Sequence, residues 1–550
     1  MQEPKVVGAG PLIRALCEAI GLREVIDENL AWDDRRCKLS PGERIQALMI
    51  NILTRRRPLY RVWETFEETD VELVLGEGIT YEDLNDDALA RALDKLQAAD
   101  ARLIFSLVAA RAMVNEQVEH RFLHWDSTTR MLYGEYPTAT GQGAVKPTYG
   151  HSKQKRPDLK QIVMTLLCNR EGMPLCGEVR DGNSSDKKAN AEMIAELCRW
   201  FSPQELRQLV YTADSALVTG PNLRQLREAG LQFLSRLPET FAVAAEAKAA
   251  AWAGPWTAIG KLSPRRDAAE YWASEQQGII QGQSYRLVVY RSNHLDQRKA
   301  KTLQHELEVE RKGLEQEAAA LARRRFACET DAQGALQAWQ KAHAAAWHPL
   351  SGIVTEQRER QKGTHRGRPR KGEQPLWLSY YQLQPTLGDP DPERIRTEHQ
   401  RRSAFVLITN LGADAFPAER LLQEYKAQTS LEQRFHFVHD PLFVDAFLLH
   451  KPERVEALGY VLLMACLVFS ILERRVRRAG RPLDTPSRGQ LLNPTGFEVL
   501  HHIQGALVVP LDRRRRELFV QASFRKPFHA ILAMAGFSDR IYTEVPPRPG

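Results

Sequence analysis

Three acidic residues, Asp126, Asp214 and Glu432, occupy positions where a carboxylate is costly unless something pairs with it. Asp126 sits in RFLHWDSTT (121–129), which reads as a buried strand ending in a carboxylate. Phe122, Leu123 and Trp125 supply its bulk, and Ser127, Thr128 and Thr129 are expected to turn the chain to solvent. Asp214 closes a second apolar strand in YTADSAL (211–217). A structural hydrogen-bond network would satisfy a lone strand aspartate, and a metal ion is the other candidate partner. Glu432 lies on a helix expected over 417–440, where Tyr425, Gln428, Glu432, His436 and His439 follow at intervals of 3, 4, 4 and 3 and share one face. That face is either a buried polar network capped by arginines such as Arg434, or the third side of a metal site. Two strand carboxylates and a helix glutamate would make a hard, all-oxygen site suited to Mg²⁺ or Mn²⁺, and this reading is preferred.

The elements that must position these residues are legible in outline. Residues 1–118 read as helical: PLIRALCEAIGL ends at a glycine, and SPGERIQALMINIL opens with Ser40 as N-cap and Pro41 behind it. From 121 the apolar period becomes two. RFLHWDSTT, RMLYGEY, LKQIVMTLLCN (159–169) and MPLCGEVRDGN (173–183) read as strands, with NREG as a hairpin turn between the last two. A helix over 186–201 with Asp186 as N-cap, a strand ending in Asp214, a helix closed by Gly230 and a further strand complete the order. If the strands bearing Asp126 and Asp214 are neighbours, both carboxylates meet at one edge of a sheet, where α/β folds place their sites.

Residues 239–400 break this pattern. SYRLVVYRS (284–292) looks like a strand. Residues 295–345 read as a charge-dense helical hairpin breaking near Cys328–Gly334. The basic, Gly- and Pro-containing stretch 356–375 reads as a linker. RSAFVLITNL (402–411) returns to a buried strand, 457–472 is too short and too flanked by charge for a membrane span and reads as a buried helix, and 481–550 reads as a mixed basic tail.

Bulk composition sets wide limits. The 550 residues carry 43% hydrophobic and 26% charged residues with a net charge of +7, which excludes wholesale disorder and is compatible with nucleic acid. The seven cysteines form no C-x-x-C pair, so neither a zinc ribbon nor a disulfide framework is indicated, and a reducing cytoplasm fits. The N-terminus lacks the apolar core of a signal peptide.

HWDSTT (124–129), YGHSKQKRPDLKQ (149–161), GNSSDKKAN (182–190), TADSAL (212–217) and the Tyr425-to-Glu432 helix together resemble an insertion-sequence DDE transposase of the cut-and-paste superfamily. LSPGERIQALMINIL, RRPLYRVWETFEE and EDLNDDALARALDKL resemble the helical N-terminal domain often fused to one branch of these enzymes. The resemblance covers about residues 10–475. It implies an α/β fold: an RNase H-like mixed sheet flanked by helices, interrupted by a large insertion and preceded by a helical N-terminal domain. The implied domains are 1–118 (helical, DNA-binding), 119–238 (first part of the core), 239–400 (insertion), 401–475 (second part of the core) and 476–550 (basic C-terminal region). The separation of Asp214 from Glu432, 432 − 214 = 218 residues, resembles the insertion these enzymes carry before the glutamate helix.

The resemblance makes Asp126, Asp214 and Glu432 both the catalytic residues and the ligands of two Mg²⁺ or Mn²⁺ ions, which activate water and then the freed 3′-hydroxyl for attack at phosphorus. It implies DNA as partner, both terminal inverted repeats and target, in a synaptic homodimer, and a cytoplasmic, nucleoid-associated protein of bacterial type with no membrane partner. Tyr425 matches the superfamily's last motif. Gln428 stands where arginine is usual and His439 where lysine is usual; these positions are expected at the DNA end, with His436, Arg434 or Lys426 available to compensate. His151, Lys153, Lys155 and Arg156 form a basic loop suited to phosphates, or a plain solvated loop. Arg366 and Arg368, in RGRPRKG, resemble the core of an AT-hook, a minor-groove reader, or else mark a basic linker. Two other readings stand beside the transposase: a metal-dependent endonuclease on the same core, and a catalytically silent DNA-binding descendant.

Overall fold

The period-two stretch that begins at Phe122 forms the sheet carrying Asp126. In the computed structural model, the structure describes residues 3–132, 136, 144–150, 156–360, 376–438, 449, 451–486 and 489–548, excepting the side chains of 429–433 and 435–438. The chain folds as two compact units, one made of Met1–Arg236 with Thr409–Gly550 and the other of Leu237–Ile408.

In the first unit, strands β1 (Phe122–Leu132), β2 (Lys160–Asn169), β3 (Pro174–Asp181), β4 (Val210–Ala213) and β5 (Gln232–Arg236) lie in the order β3-β2-β1-β4-β5. The pairs β1–β2 and β2–β3 are antiparallel; β1–β4 and β4–β5 are parallel. This is the RNase H-like mixed sheet, with helices packed on it. Helices Asp186–Trp200 and Gly220–Ala229 make the crossovers that parallel pairing requires. The outer edge of β5 is tied by Asn410, whose amide accepts from the Phe233 N–H at 2.9 Å and donates to the Leu231 carbonyl at 3.1 Å.

Two expectations need correction here. RFLHWDSTT and the start of RMLYGEY are one continuous strand, β1, so Asp126 is mid-strand rather than terminal. Ser127, Thr128 and Thr129 are buried, because the antiparallel ladder with β2 continues to Leu132 opposite Lys160 and pays for their backbone groups. The region 481–550 is also no tail: it folds into short strands and the helices Gly496–Ile503 and Ala522–Ala535, whose apolar residues join the core.

One hydrophobic core runs through this unit. The helix Pro452–Arg478 is long and apolar enough to cross a membrane by length and composition, yet 94% of its apolar window is buried inside the protein. It packs against Pro41–Leu53, Asp86–Ala98 and Ala101–Asn115 and against β3. The approach to β3 needs a glycine: a Cβ on Gly459 would lie 2.7 Å from a Val179 methyl. Next to it the Val179 N–H donates to the Tyr460 hydroxyl at 3.3 Å. Ser40 caps the helix Pro41–Leu53, as the sequence indicates, and Glu43 completes a capping box with it.

In the second unit four strands follow the order Ala404–Thr409, Gln283–Ser292, Glu270–Ile280, Thr257–Lys261. The last two of these were not foreseen. The charge-dense region forms helices Asn293–Ala322 and Glu329–Ala342, so the break falls at 323–328 with Cys328 as N-cap, and Gly334 is inside the second helix. Residues 350–360 are a strand paired with Trp377–Leu387, so the expected linker begins later than 356. The segment 361–375 lies outside the described residues.

A buried ion pair fastens the helix Ala418–Val438 to the long core helix. Arg434 donates to both oxygens of Glu473 at 3.0 and 2.6 Å and to the Gly172 carbonyl at 3.1 Å, while Glu473 also accepts from the Gly496 N–H at 2.7 Å. Burial would raise the Glu473 carboxyl, but the Arg434 hydrogen bonds and charge outweigh it and hold the group below its usual range. Arg434 is therefore a structural cation, not a spare contact for a DNA end. Glu473→Gln should cost about 3–5 kcal/mol at neutral pH, since it leaves a buried guanidinium without its counter-charge. A carboxyl depressed on folding stabilises above its unfolded value, 4.5, and that stability is lost as pH falls below it. Urea unfolding should thus show the gap between wild type and variant narrowing below that pH; a constant gap would refute the assignment.

Candidate active site

Side chains alternate along β1, so Phe122, His124 and Asp126 share one face and Trp125 and Ser127 the other. The first face lies under the helix Ala418–Val438. Phe122 meets Phe416 at 6.0 Å between ring centres, and Arg420 stands 5.9 Å over the Phe122 ring. One turn on, Glu424 pairs with Arg170 at 3.4 Å, and Arg170 bears electrostatically on His124. A further turn on, the Gln428 amide donates to the Trp125 carbonyl at 3.4 Å. Four helical residues advance about 6 Å and two strand residues about 6.6 Å, so helix and strand run in step and in the same sense. The next turn carries position 432 about 6 Å farther, some two strand residues past Trp125 and one beyond Asp126.

The register brings the second aspartate to the same level. Paired residues of β1 and β4 run to His124 opposite Thr212, and two residues farther along each chain are Asp126 and Asp214. Neighbouring strands are about 4.8 Å apart. Both residues are half-buried. Asp126 accepts from the Ser127 N–H at 2.8 Å; Asp214 caps the short turn Ser215–Leu217 by accepting from the Ala216 N–H at 3.0 Å. The Ser235 hydroxyl on β5 donates to the Asp214 carbonyl at 2.7 Å, which fixes the end of β4.

His124 is fully buried, and burial, with Arg170 nearby, lowers its imidazole to about 4, so it is neutral at physiological pH. On the opposite face, the Ser127 hydroxyl donates to Asp186 at 2.6 Å. Asp186 is the first residue of its helix rather than the cap, which is Ser185. Asp186 therefore packs on the side of β1 away from Asp126, a contact that GNSSDKKAN alone does not reveal. Asn190 in the same motif accepts from the Tyr211 hydroxyl of β4 at 2.9 Å, tying that helix to the strand that ends at Asp214.

Asp126 and Asp214, level on neighbouring strands and each held by a backbone N–H, offer an oxygen pair of the kind hard divalent cations take. Among the described residues no three His, Cys, Asp or Glu side chains converge as a metal site. The Glu432 side chain is outside the description, although its backbone is helical.

The remaining candidate contacts separate. Gln428 is buried at 8% exposure and donates to β1, so it is part of the helix–strand seam. Tyr425 is half-buried and Lys426 exposed. Arg156 is ion-paired to Asp158 at 2.7 Å. His151, Lys153, Lys155, Arg366, Arg368 and His439 lie outside the described residues, as does the side chain of His436. His502 is in ring contact with His501 and Phe524.

Comparison with known proteins gives a family for the chain. Residues 120–468 match the family described as transposase DDE domain, and residues 4–110 match a domain of unknown function (DUF4277). No curated protein sequence matches the chain. Among solved structures, the cryo-EM structure of a piggyBac transposase synaptic complex with hairpin DNA is similar at 10% identity and a TM-score of 0.39, over 97% of this chain and 82% of that one.

The loop leading into β2 is anchored by close backbone packing. A Cβ on Gly182 would collide with the Gln161 carbonyl and lie 2.5 Å from the Thr148 carbonyl. Gly182→Ala should therefore destabilise by about 1–3 kcal/mol. Gly313→Ala, in open space within a helix, should stabilise by about 0.5–1 kcal/mol. Chemical denaturation of both variants checks the pair; equal effects would refute the packing argument.

Proposed function

Because the chain belongs to the transposase DDE domain family, we propose that it cleaves the ends of a DNA element and joins them to target DNA, with Asp126, Asp214 and Glu432 as the acting carboxylates. The observation that carries this reading is the β1–β4 register, which levels Asp126 with Asp214. The pace of the glutamate helix along β1 supports Glu432 as the third member.

In this reading the three carboxylates hold two Mg²⁺ or Mn²⁺ ions. When bound, such ions stabilise the attacking and leaving oxygens of an in-line displacement at phosphorus. The protein's own part is positional. Asp126 is fixed by strand pairing on both sides, and Asp214 by its cap on Ala216 and by Ser235 behind it. The Arg434–Glu473 pair anchors the helix two residues beyond Glu432. His124, neutral and buried beside Asp126, adds no competing positive charge.

DNA is the substrate and partner in this reading, handled by a homodimer that pairs two ends. Tyr425 and the loop containing His151, Lys153 and Lys155 are the proposed DNA contacts. Residues 237–408 are read as the insertion carried by this core and 1–118 as a DNA-binding segment, in a cytoplasmic protein.

A cleavage and strand-transfer assay with Mg²⁺ or Mn²⁺, on a duplex bearing the element's own ends, tests the reading. Asp126→Ala, Asp214→Ala and Glu432→Gln should each abolish cutting and joining while DNA binding persists, a loss of at least about 10³-fold by analogy with removal of a principal electrostatic stabiliser. Full activity in any one variant would remove that carboxylate from the triad. Cutting without joining by wild type would favour the endonuclease reading.

A further inference from the structure

The start of β1 opens on a cavity of about 540 Å³ that the acid cluster does not use. Arg121, Arg170, Arg420, Arg474 and Arg478 line it, against only Glu119 and Glu171. These arginines come from four separate stretches of sequence, so the fold rather than a local charge run collects them.

Their states differ in a way that points to a ligand. Arg474 is buried, and it is spent on Glu171 at 2.5 Å and on the Glu116 carbonyl at 2.9 Å, so it builds the wall. Arg170 and Arg478 are each 54% exposed and have acid partners only at 3.4 and 3.9 Å. Arg121 and Arg420 make no ion pair among the described residues, although both act electrostatically on the buried Glu424 and Arg420 donates to the Ala415 carbonyl at 3.4 Å. Arg121 instead stands 5.7 Å over both Phe122 and Phe416, and Arg420 stands 4.6 Å over Phe416. Aromatic stacking fixes a guanidinium's plane without consuming its charge, which lowers the entropy lost when an anion docks.

We infer that this cavity holds the phosphodiester backbone of DNA, at a place separate from the acid cluster. This rests on the proposed function. The planar, pre-oriented forks suit phosphate oxygens, and a cavity of this size exceeds a lone phosphate. Arg121 is five residues before Asp126 on the same chain stretch, about 16 Å at strand rise, and duplex DNA carries a charge every 1.7 Å or so of its axis. A duplex engaged at the acids therefore brings phosphates within the range of this cavity.

The test is the salt dependence of binding to a short duplex carrying the element's ends, over about 50 to 200 mM salt. Arg121→Glu/Arg420→Glu should lower the slope of log K against log salt by about 2, at roughly 0.9 per phosphate contact. Arg121→Gln/Arg420→Gln should do the same if charge reversal harms folding, which thermal melting would reveal. Arg199→Glu/Arg227→Glu, an equal charge change at exposed positions elsewhere, should leave the slope as in wild type. An unchanged slope in the cavity variants, or an equal fall in the matched control, overturns the inference while leaving wild-type cutting intact. Wild-type protein that binds no duplex would overturn the proposed function as well.

Discussion

A charge that is buried must be answered, and in this protein the answer given to Arg434 holds the candidate site together. The residue is 1% exposed, and its guanidinium makes two hydrogen bonds to Glu473 and a further one to the Gly172 carbonyl. The bonds join three places: the glutamate helix that bears Arg434, the long core helix, and the turn between β2 and β3. Moving any of them would strand a charge in the core, at a cost of several kcal/mol. The pair therefore sets both the height and the rotation of the helix that carries position 432, and it does so only two residues away. Glu473 extends the same constraint to the Gly496 N–H, so the C-terminal region is held to this network too.

From that fixed helix the site follows by periodicity. Helix turns from Arg420 through Glu424 to Gln428 step along β1 from Phe122 toward Asp126, and the parallel register of β4 levels Asp214 with it. Asp126 and Asp214 come from different parts of the chain, and the sheet order β3-β2-β1-β4-β5 puts their strands side by side. The first unit is assembled from both flanks of Leu237–Ile408, so a long interruption in sequence leaves the sheet and its covering helix intact.

What was legible in the sequence was whatever depended on period and residue type. The alternation from Phe122, the apolar run inside Pro452–Arg478 and the Ser40 cap all declared their elements, and the family resemblance implied the mixed sheet. What was not legible depended on distant partners. The hydroxyl run Ser127–Thr129 looks like a turn, but ten paired residues of β2 keep it in the sheet. Arg434 looks like a cation on a polar face, and only the fold shows that Glu473 is waiting for it. Gln428 looks like a weakened DNA contact, whereas it is bonded to the backbone of β1. Asp186 looks like a helix cap until Ser127 is found against it. The polar strands Thr257–Lys261 and Glu270–Ile280 escaped notice because their residues alternate too weakly to mark a buried face.

The proposed triad of Asp126, Asp214 and Glu432 would surround a pair of divalent ions. Fe²⁺-mediated backbone cleavage measures this directly: iron replaces Mg²⁺, and the hydroxyl radicals released with ascorbate and peroxide cut the chain beside the metal. The account predicts cuts clustered next to residues 126, 214 and 432, all suppressed together by excess Mg²⁺. Cuts at 126 and 214 with none near 432, or cuts indifferent to Mg²⁺, would contradict it.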